Sequence, residues 1–144
     1  MDIEAVAAIR REDIAEWEKL VAVLEAHPEE SLHNPGSPPW TSRDVYTHLA
    51  RWMEHSTASL EARLAGLTTP PIEGDFNVIN ARWQREDSEL SLAEAREKAR
   101  LAFEWRESVI KSVPNERWDE ELEKLARWDG GAHFAEHRSY IVVA

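Results

Sequence analysis

The sequence predicts an all-α fold, a four-helix bundle, on three observations. Apolar residues recur every three to four positions along several stretches, which is the period of a helix with one buried face. Proline-rich segments separate these stretches, and no stretch alternates apolar and polar residues as a strand would. The chain of 144 residues has the length of one domain, so we expect a single bundle over residues 1–144.

The first helix is predicted from about Ile3 to about Ala26. Its apolar positions follow a 3.6-residue period with charged residues between them. This predicted inner face consists of Ile3, Val6, Ile14, Trp17, Leu20, Val21 and Leu24. The segment "HPEESLHNPGSPPW" follows, and its four prolines prevent a continuous helix.

The second helix is predicted to begin at "TSRD". Thr41 or Ser42 is a suitable N-cap, and Asp44 lies where a capping box needs an acceptor. The helix ends before "TTPP", and a short helix is expected in the middle of "IEGDFNVINARWQRED". The predicted inner face of the second helix consists of Val45, His48, Leu49, Trp52, Leu60, Leu64 and Leu67.

A third long helix is predicted from Ser91, where "SLAE" has the form of a capping box with Glu94. Pro114 ends it, and "NERWDEELEKLARWDGG" reads as a polar connection with a helical turn or more. The last helix starts near Gly131 and runs to the end of the chain. The inner face of the third long helix is predicted to be Leu92, Ala95, Ala99, Ala102, Trp105, Val109 and Val113.

The composition excludes several classes of function. The net charge is −11, from 28 acidic and 17 basic residues, so we expect no nucleic-acid partner, which would need a concentrated basic face. The chain has no cysteine and therefore no disulfide, thiolate metal site or cysteine nucleophile. No apolar run approaches the roughly 20 residues of a membrane helix, and the first residues lack a signal peptide's apolar region. We therefore expect a cytoplasmic protein without a membrane partner.

Three histidines are candidate metal ligands. His133 and His137 are four residues apart, so on a helix they are neighbours on one face. His48 lies on the inner face of another helix, between Val45 and Trp52. Three neutral imidazoles can hold zinc and leave a coordination position open, and nickel or iron would accept the same ligands. The alternative is that these histidines are polar core residues with structural roles only.

Four segments together resemble the DinB-like (damage-inducible) four-helix-bundle superfamily. "PPWTSRDVYTHLARWMEHS" is similar to its second-helix signature, and "GGAHFAEHRSYI" to its fourth-helix pattern. "DFNVINARWQRE" and "SLAEAREKAR" resemble the middle of its ClbS/DfsB-like branch. The resemblance extends from about Trp40 to Ile141. It implies a bundle with a long crossover connection and a metal triad formed by His48, His133 and His137.

The resemblance also implies a function. Members of the superfamily include thiol-dependent S-transferases, a thiol-dependent maleylpyruvate isomerase and a ClbS-like hydrolase that disarms a reactive genotoxin. We therefore expect a metal-dependent enzyme acting on an electrophilic small molecule, by hydrolysis or with a low-molecular-weight thiol as cosubstrate. A homodimer is a further expectation, since helical bundles of this kind often dimerise. The alternative is a non-catalytic, ligand-binding or stress-related bundle.

Other residues near the three histidines are candidates for supporting roles. Tyr140 shares the face of His137 and could donate a proton or hold a substrate, although a core tyrosine would look the same. Asp44 lies one turn before His48 and could orient its ring, although capping already accounts for it. Core, surface and loop-capping roles are the alternatives for the candidate pocket residues, which are Trp52, His55, Asn77 and Asn80.

Overall fold

The chain folds as an all-α bundle, as predicted. A computed structural model describes residues 3–28, 30, 40–68, 72 and 74–141. Within them lie six α-helices and, at Asn115–Arg117, one 3₁₀ turn. None of these helices combines the length and the apolar character that crossing a bilayer requires. The helices are α1 (Ile3–Ala26), α2 (Ser42–Leu64), α3 (Phe76–Glu86), α4 (Leu92–Ser112), α5 (Glu120–Arg127) and α6 (Gly131–Tyr140).

The bundle consists of α1, α2, α4 and α6. α2 packs along α4, and α1 packs along α6, while α3 and α5 both lie against α2. The face of α4 that enters the core carries Ala95, Ala99 and Ala102, all at most 3% exposed. Small side chains let two helices approach closely, so α2 can bury larger residues such as Leu49 and Met53 against α4.

Side-chain caps fix where the helices begin. Thr41 and Asp44 form a reciprocal capping box at the start of α2, and Ser91 and Glu94 form another at the start of α4. Both boxes are the predicted ones. The Ser42 hydroxyl donates to the carbonyl oxygens of Leu24, at 3.1 Å, and His27, at 3.0 Å. It thereby ties the beginning of α2 to the end of α1.

Three expectations from the sequence were wrong in detail. Ile14 is 38% exposed, because the buried face of α1 runs through Ile9 and Asp13 instead. Leu67 lies beyond the end of α2 and is 64% exposed. The last helix ends at Tyr140 and does not continue through Ile141, which is its C-cap. The connection after Pro114 contains more than one helical turn, as predicted, in the two-turn helix α5, whose buried residues Leu122 and Ala126 join the core. The proline-rich segment 31–39 and residues 142–144 lie outside the described residues.

A buried ion pair fixes the start of α6. Arg106 and Asp13 are 1% and 2% exposed, and the Arg106 Nη2 atom donates to Asp13 Oδ2 at 3.0 Å. Asp13 Oδ1 accepts the backbone N–H of Gly131, the first residue of α6, at 2.9 Å. Arg106 also donates to the carbonyl oxygens of Ala126 and Trp128, around the end of α5. One charge pair therefore joins α1, α4, α5 and α6.

Close packing around this ion pair requires glycine between α5 and α6. A Cβ atom on Gly130 would lie 2.0 Å from Arg106 Nη2 and 2.6 Å from Asp13 Oδ1. A Cβ atom on Gly131 would lie 2.8 Å from Glu12 Cγ. The two glycines thus let the first turn of α6 lie directly against α1 and α4, which sets the position of the histidines that follow.

Glu107 is a buried acid beside the ion pair. Burial, together with the nearby Asp13 carboxylate, raises its pKa to about 8. Neither Glu107 oxygen has a hydrogen-bond partner among the described residues, which leaves an ionised carboxylate there poorly stabilised. At neutral pH Glu107 is therefore held in its neutral form.

Replacing Glu107 with glutamine should stabilise the protein at pH 8. The pKa is 4.5 when unperturbed, so between pH 4.5 and about 8 the unfolded chain loses a proton that the folded chain keeps. Stability therefore falls as pH rises through this window in the wild type. Glutamine does not ionise and therefore removes this loss. We expect a gain of roughly 2–4 kcal/mol at pH 8, at about 1.4 kcal/mol per pKa unit.

The measurement is urea unfolding of both proteins between pH 4.5 and 8. The difference between them should shrink as pH falls towards 4.5. Glu104→Gln removes a carboxylate from the exposed face of the same helix and controls for the loss of a charge. A Glu107→Gln variant that follows the pH dependence of the wild type would mean that Glu107 is ionised in the folded protein.

Candidate metal centre

Helices α2 and α6 bring the three predicted histidines together. His48 comes from the middle of α2, and His133 and His137 come from successive turns of α6. The Nε2 atom of His137 lies 3.0 Å from that of His48 and 3.0 Å from that of His133. One ring nitrogen of each histidine lies within 4.8 Å of those of the other two. The three imidazoles therefore converge on a common point.

All three imidazoles are held in the neutral form. Burial lowers the pKa of His137 to about 4 and that of His133 to about 3, where the neighbouring His137 and Arg106 add to the effect. Burial also lowers the pKa of His48 well below its usual value, helped by the other two histidines. Neutral imidazoles keep a lone pair, which is the form that binds a metal ion.

Two close contacts at one nitrogen cannot both be hydrogen bonds. An imidazole nitrogen carries either one hydrogen or one in-plane lone pair. His137 Nε2 can therefore donate to one neighbour or accept from one, and its other 3.0 Å contact stays unsatisfied. A cation between the rings removes the conflict, because each nitrogen then directs its lone pair to the ion. Metal–nitrogen bonds of about 2.0–2.1 Å in a tetrahedral site separate the ligand nitrogens by roughly 3.3 Å, which is close to both 3.0 Å separations at His137 Nε2.

Trp40 covers the histidines from one side. Its ring lies parallel to that of His137, with centroids 6.3 Å apart, and its centroid is 4.9 Å from that of His48. Trp40 is 6% exposed and restricts the rotation of both rings. Trp40 lies in the segment that resembles the second-helix signature, but it was not predicted to be a site residue. The available signal was its place before the N-cap, where an apolar residue commonly packs against the fourth residue of the helix, here Val45.

A narrow cleft lies beside His48, between the start of α2 and α3. Two indoles form its apolar walls, and a hydroxyl and two amide side chains supply polar groups. Its two carboxylates already accept hydrogen bonds from other residues. Asp44 accepts from Thr41 and Arg43, and Asp87 accepts a bidentate pair of hydrogen bonds from Arg51. The other lining residues are Trp40, Thr47, His48, Asn80, Trp83 and Gln84.

The predicted pocket residues divide into two groups. Asn80 lines the cleft, and its Oδ1 accepts a hydrogen bond of 2.8 Å from Trp52 Nε1, which fixes the amide. Trp52 is thus a support for Asn80 and not a wall of the cleft. His55 packs edge-on against Trp52, with centroids 6.1 Å apart, and also lies outside the cleft. Asn77 is exposed on the first turn of α3, where its backbone N–H donates to the cap residue Asp75.

Tyr140 brings its ring to the triad, while its hydroxyl lies elsewhere. The ring packs edge-on against His137, with centroids 5.7 Å apart. The hydroxyl donates to the exposed carboxylate of Glu136, one turn earlier on α6. This hydrogen bond raises the pKa of Tyr140. A catalytic role for Tyr140 stays a prediction, and the hydroxyl would have to leave Glu136 to reach the histidines.

The carboxylate of Asp129 lies close to the triad. The Oδ1 atom of Asp129 is 3.5 Å from His133 Nδ1, on the side of the ring away from the other histidines. Burial raises the pKa of Asp129 to about 6, and the nearby hydroxyl of Ser56 and the charge of Arg106 oppose this shift. Asp129 was not predicted from the sequence, which placed it in a polar connection. Among the described residues, no carboxylate oxygen lies within 4.0 Å of a ring nitrogen of His48 or His137.

Comparison with known proteins supports the fold. The crystal structure of an uncharacterised protein from Escherichia coli UTI89 matches with a TM-score of 0.73 over 96% of each chain, at 13% sequence identity. At this identity the likeness shows the fold alone. No protein-family model and no curated protein matches the chain. The resemblance to the DinB-like superfamily therefore stays a prediction from the sequence.

Proposed function

We propose that the chain is a metal-dependent enzyme of the DinB/ClbS-like kind that acts on an electrophilic small molecule. The observation that carries the proposal is the pair of 3.0 Å contacts at His137 Nε2, to His48 and to His133. Neutral histidines without an ion leave one of these contacts unsatisfied, whereas a divalent ion satisfies all three rings. Zinc, nickel and iron all suit three imidazoles.

The chain's own residues divide the remaining tasks. His48, His133 and His137 would hold the ion, and Trp40 limits the rotation of two of these rings. A divalent ion supplies Lewis acidity, which makes a water or thiol more nucleophilic near neutral pH and polarises an electrophile. The cleft beside His48 has room for about one water molecule, so a flat or apolar group could bind between the indoles of Trp40 and Trp83 only if they move apart.

The polar part of the cleft would orient the substrate. Asn80 accepts from Trp52 through Oδ1, so its NH2 group can donate to a bound molecule. Because the carboxylates of Asp44 and Asp87 are neutralised by arginines, the cleft does not strongly repel an anionic or electron-rich group. These features support a small electrophile carrying a carbonyl or carboxylate oxygen. Hydrolysis and transfer to a low-molecular-weight thiol are the two reactions that fit such a site.

Metal content is the first test. Protein purified without a histidine tag should hold close to one equivalent of zinc, nickel or iron by elemental mass spectrometry, or take it up when the ion is added. His48→Ala and His133→Ala should both lose it. His27→Ala is the matched control, because His27 lies at the end of α1 and pairs with Glu30. A wild type that takes up none of these ions would leave the histidines as structural residues and favour the non-catalytic ligand-binding bundle.

The reaction type is tested on metal-loaded protein with a panel of electrophiles. Consumption of an electrophile without thiol would indicate hydrolysis, and consumption only with a low-molecular-weight thiol would indicate transfer. The His133→Ala protein is the control in both assays, since it keeps the cleft and loses a ligand. Equal activity of this variant and the wild type would contradict a metal-dependent reaction.

A further inference from the structure

His133 has a buried nitrogen that needs an acceptor. Its Nε2 atom faces His137, and its Nδ1 atom is buried with no hydrogen bond to any described residue. A neutral imidazole that gives its Nε2 lone pair to a metal ion carries its hydrogen on Nδ1. Ligand histidines usually donate this hydrogen to a carboxylate or a carbonyl oxygen, which fixes the tautomer and the orientation of the ring.

Asp129 is the acceptor within reach. Its Oδ1 atom lies 3.5 Å from His133 Nδ1, slightly beyond the usual range of a hydrogen bond. Asp129 precedes His133 by four residues, in the turn between α5 and α6. A displacement of either side chain by a few tenths of an ångström would bring the two atoms within hydrogen-bonding distance.

The backbone of Asp129 adopts a conformation that is uncommon for residues other than glycine. Its φ is +57°, and it is the one non-glycine residue with positive φ among the described residues. Glycine adopts this left-handed conformation more easily than any other residue, although aspartate and asparagine tolerate it. The carboxylate also lies near the hydroxyl of Ser56 on α2, which is 2% exposed. A carboxylate therefore occupies a backbone position that favours glycine, beside the unpartnered Nδ1 atom of His133.

We propose that Asp129 is a positioning residue for the metal site, whose carboxylate accepts the Nδ1 hydrogen of His133 and aims Nε2 at the ion. This inference rests on the proposed metal centre. Asp44, the carboxylate nearest His48 in sequence on α2, is not free to act in this way. Its Oδ2 atom accepts from the backbone N–H and hydroxyl of Thr41, and its Oδ1 atom accepts from Arg43.

Two variants at position 129 separate the carboxylate from the backbone. Asp129→Gly removes the acceptor and suits the left-handed conformation, so the fold should persist. Asp129→Asn keeps an oxygen acceptor, also tolerates this conformation, and removes the charge. Zinc dissociation constants of metal-stripped proteins, measured by competition with a chelator, are the readout. We expect weakening by roughly 10- to 100-fold for Asp129→Gly and a smaller loss for Asp129→Asn.

The urea midpoint of each metal-stripped protein is measured alongside. A purely structural Asp129 would lower this midpoint in both variants and leave the zinc dissociation constant unchanged, which would overturn the inference. Unchanged zinc affinity at an unchanged midpoint would overturn it as well, while leaving the metal centre in place. A wild type that binds none of zinc, nickel and iron would overturn the metal centre and this inference together. Weaker zinc binding at an unchanged midpoint, partly rescued by asparagine, is the supporting result.

Discussion

Replacing His137 with leucine should abolish metal binding while leaving the metal-free protein nearly as stable as the wild type. His137 is the central member of the triad, since its Nε2 atom is 3.0 Å from both other Nε2 atoms. Without it, two imidazoles remain, which hold a divalent ion poorly. In the metal-free protein, one of the two nitrogen–nitrogen contacts of His137 is left without a hydrogen bond, and leucine removes it. Leucine is apolar and suits the position, because His137 is only 8% exposed. We expect the free energy of unfolding to change by no more than about 1 kcal/mol.

Calorimetric titration with zinc and urea unfolding measure the two parts of this prediction. Zinc at a thousand times its dissociation constant should stabilise the wild type by about 4 kcal/mol and should not stabilise the variant. His55→Leu is the control, because His55 lies on α2 against Trp52 and outside the triad. A structural role for His137 predicts the reverse, namely a loss of several kcal/mol in the metal-free protein and no effect of zinc on either protein.

The pH dependence of the free energy of unfolding of the metal-free proteins is a second test of the His137→Leu prediction. The pKa of His137 is about 4 in the folded protein and 6.5 when unperturbed. As pH falls below 6.5, the unfolded chain takes up a proton that the folded protein rejects, so this histidine makes the wild type less stable. The His137→Leu variant should lose less stability than the wild type between pH 6.5 and pH 4. Parallel curves would mean that His137 is exposed to solvent or charged in the folded protein.

Replacing Arg106 with leucine should destabilise the protein by about 3–5 kcal/mol. Arg106 is 1% exposed, and its removal leaves the Asp13 carboxylate buried without its positive partner. The carbonyl oxygens of Ala126 and Trp128 lose a donor in the same step. The free energy of unfolding in urea measures the effect. Because Asp13 also caps α6, the variant should bind zinc more weakly even where it is folded.

Arg100→Leu is the matched control for Arg106→Leu. Arg100 lies on the same helix and pairs with Glu97 and Glu104, but it is 49% exposed. Exposed ion pairs contribute about 0–1 kcal/mol, so this variant should unfold close to the wild type. Similar losses in the two variants would mean that helix propensity, and not the buried charge pair, accounts for the effect of Arg106.

The sequence predicted the local features of the fold well, because they depend on short-range chemistry. The capping boxes at Thr41 and Ser91 depend on residues three positions apart, and both are present. The convergence of His48 with His133 and His137 was expected because all three lie on or beside inner faces. The resemblance to a known superfamily supplied the pairing between the two helices, which spacing alone left open.

The sequence does not readily predict the two charged core residues, Asp13 and Arg106, because charged side chains are usually exposed. Asp13 lies four residues before Trp17, and Arg106 lies between Ala102 and Ile110, so both fall on the buried face of their helix. The helical period therefore contained the signal. What it could not contain is the partner of each charge, since Asp13 and Arg106 are 93 residues apart and meet only in the folded bundle.

The cleft and Asp129 depend on tertiary packing in a similar way. Trp83 reaches the cleft only because α3 lies against α2, and no pattern in the sequence indicates that contact. Asp129 was read as part of a polar connection, and its left-handed backbone is fixed by the turn between α5 and α6. Such conformations follow from the neighbouring helices, so propensity rules do not predict them.

The hydrogen bond from Gly131 to Asp13 has a consequence for the order of events during synthesis. It joins residues 118 positions apart, and His48 and His137 are themselves 89 positions apart. A growing chain can bring α2 and α4 together on the ribosome while α6 has yet to emerge. During that interval the nascent protein presents only His48 of the triad, so the proposed metal site would still lack two of its three ligands. Uptake of the ion would therefore mark a finished bundle, and would add its binding energy only to molecules that have already docked their last helix.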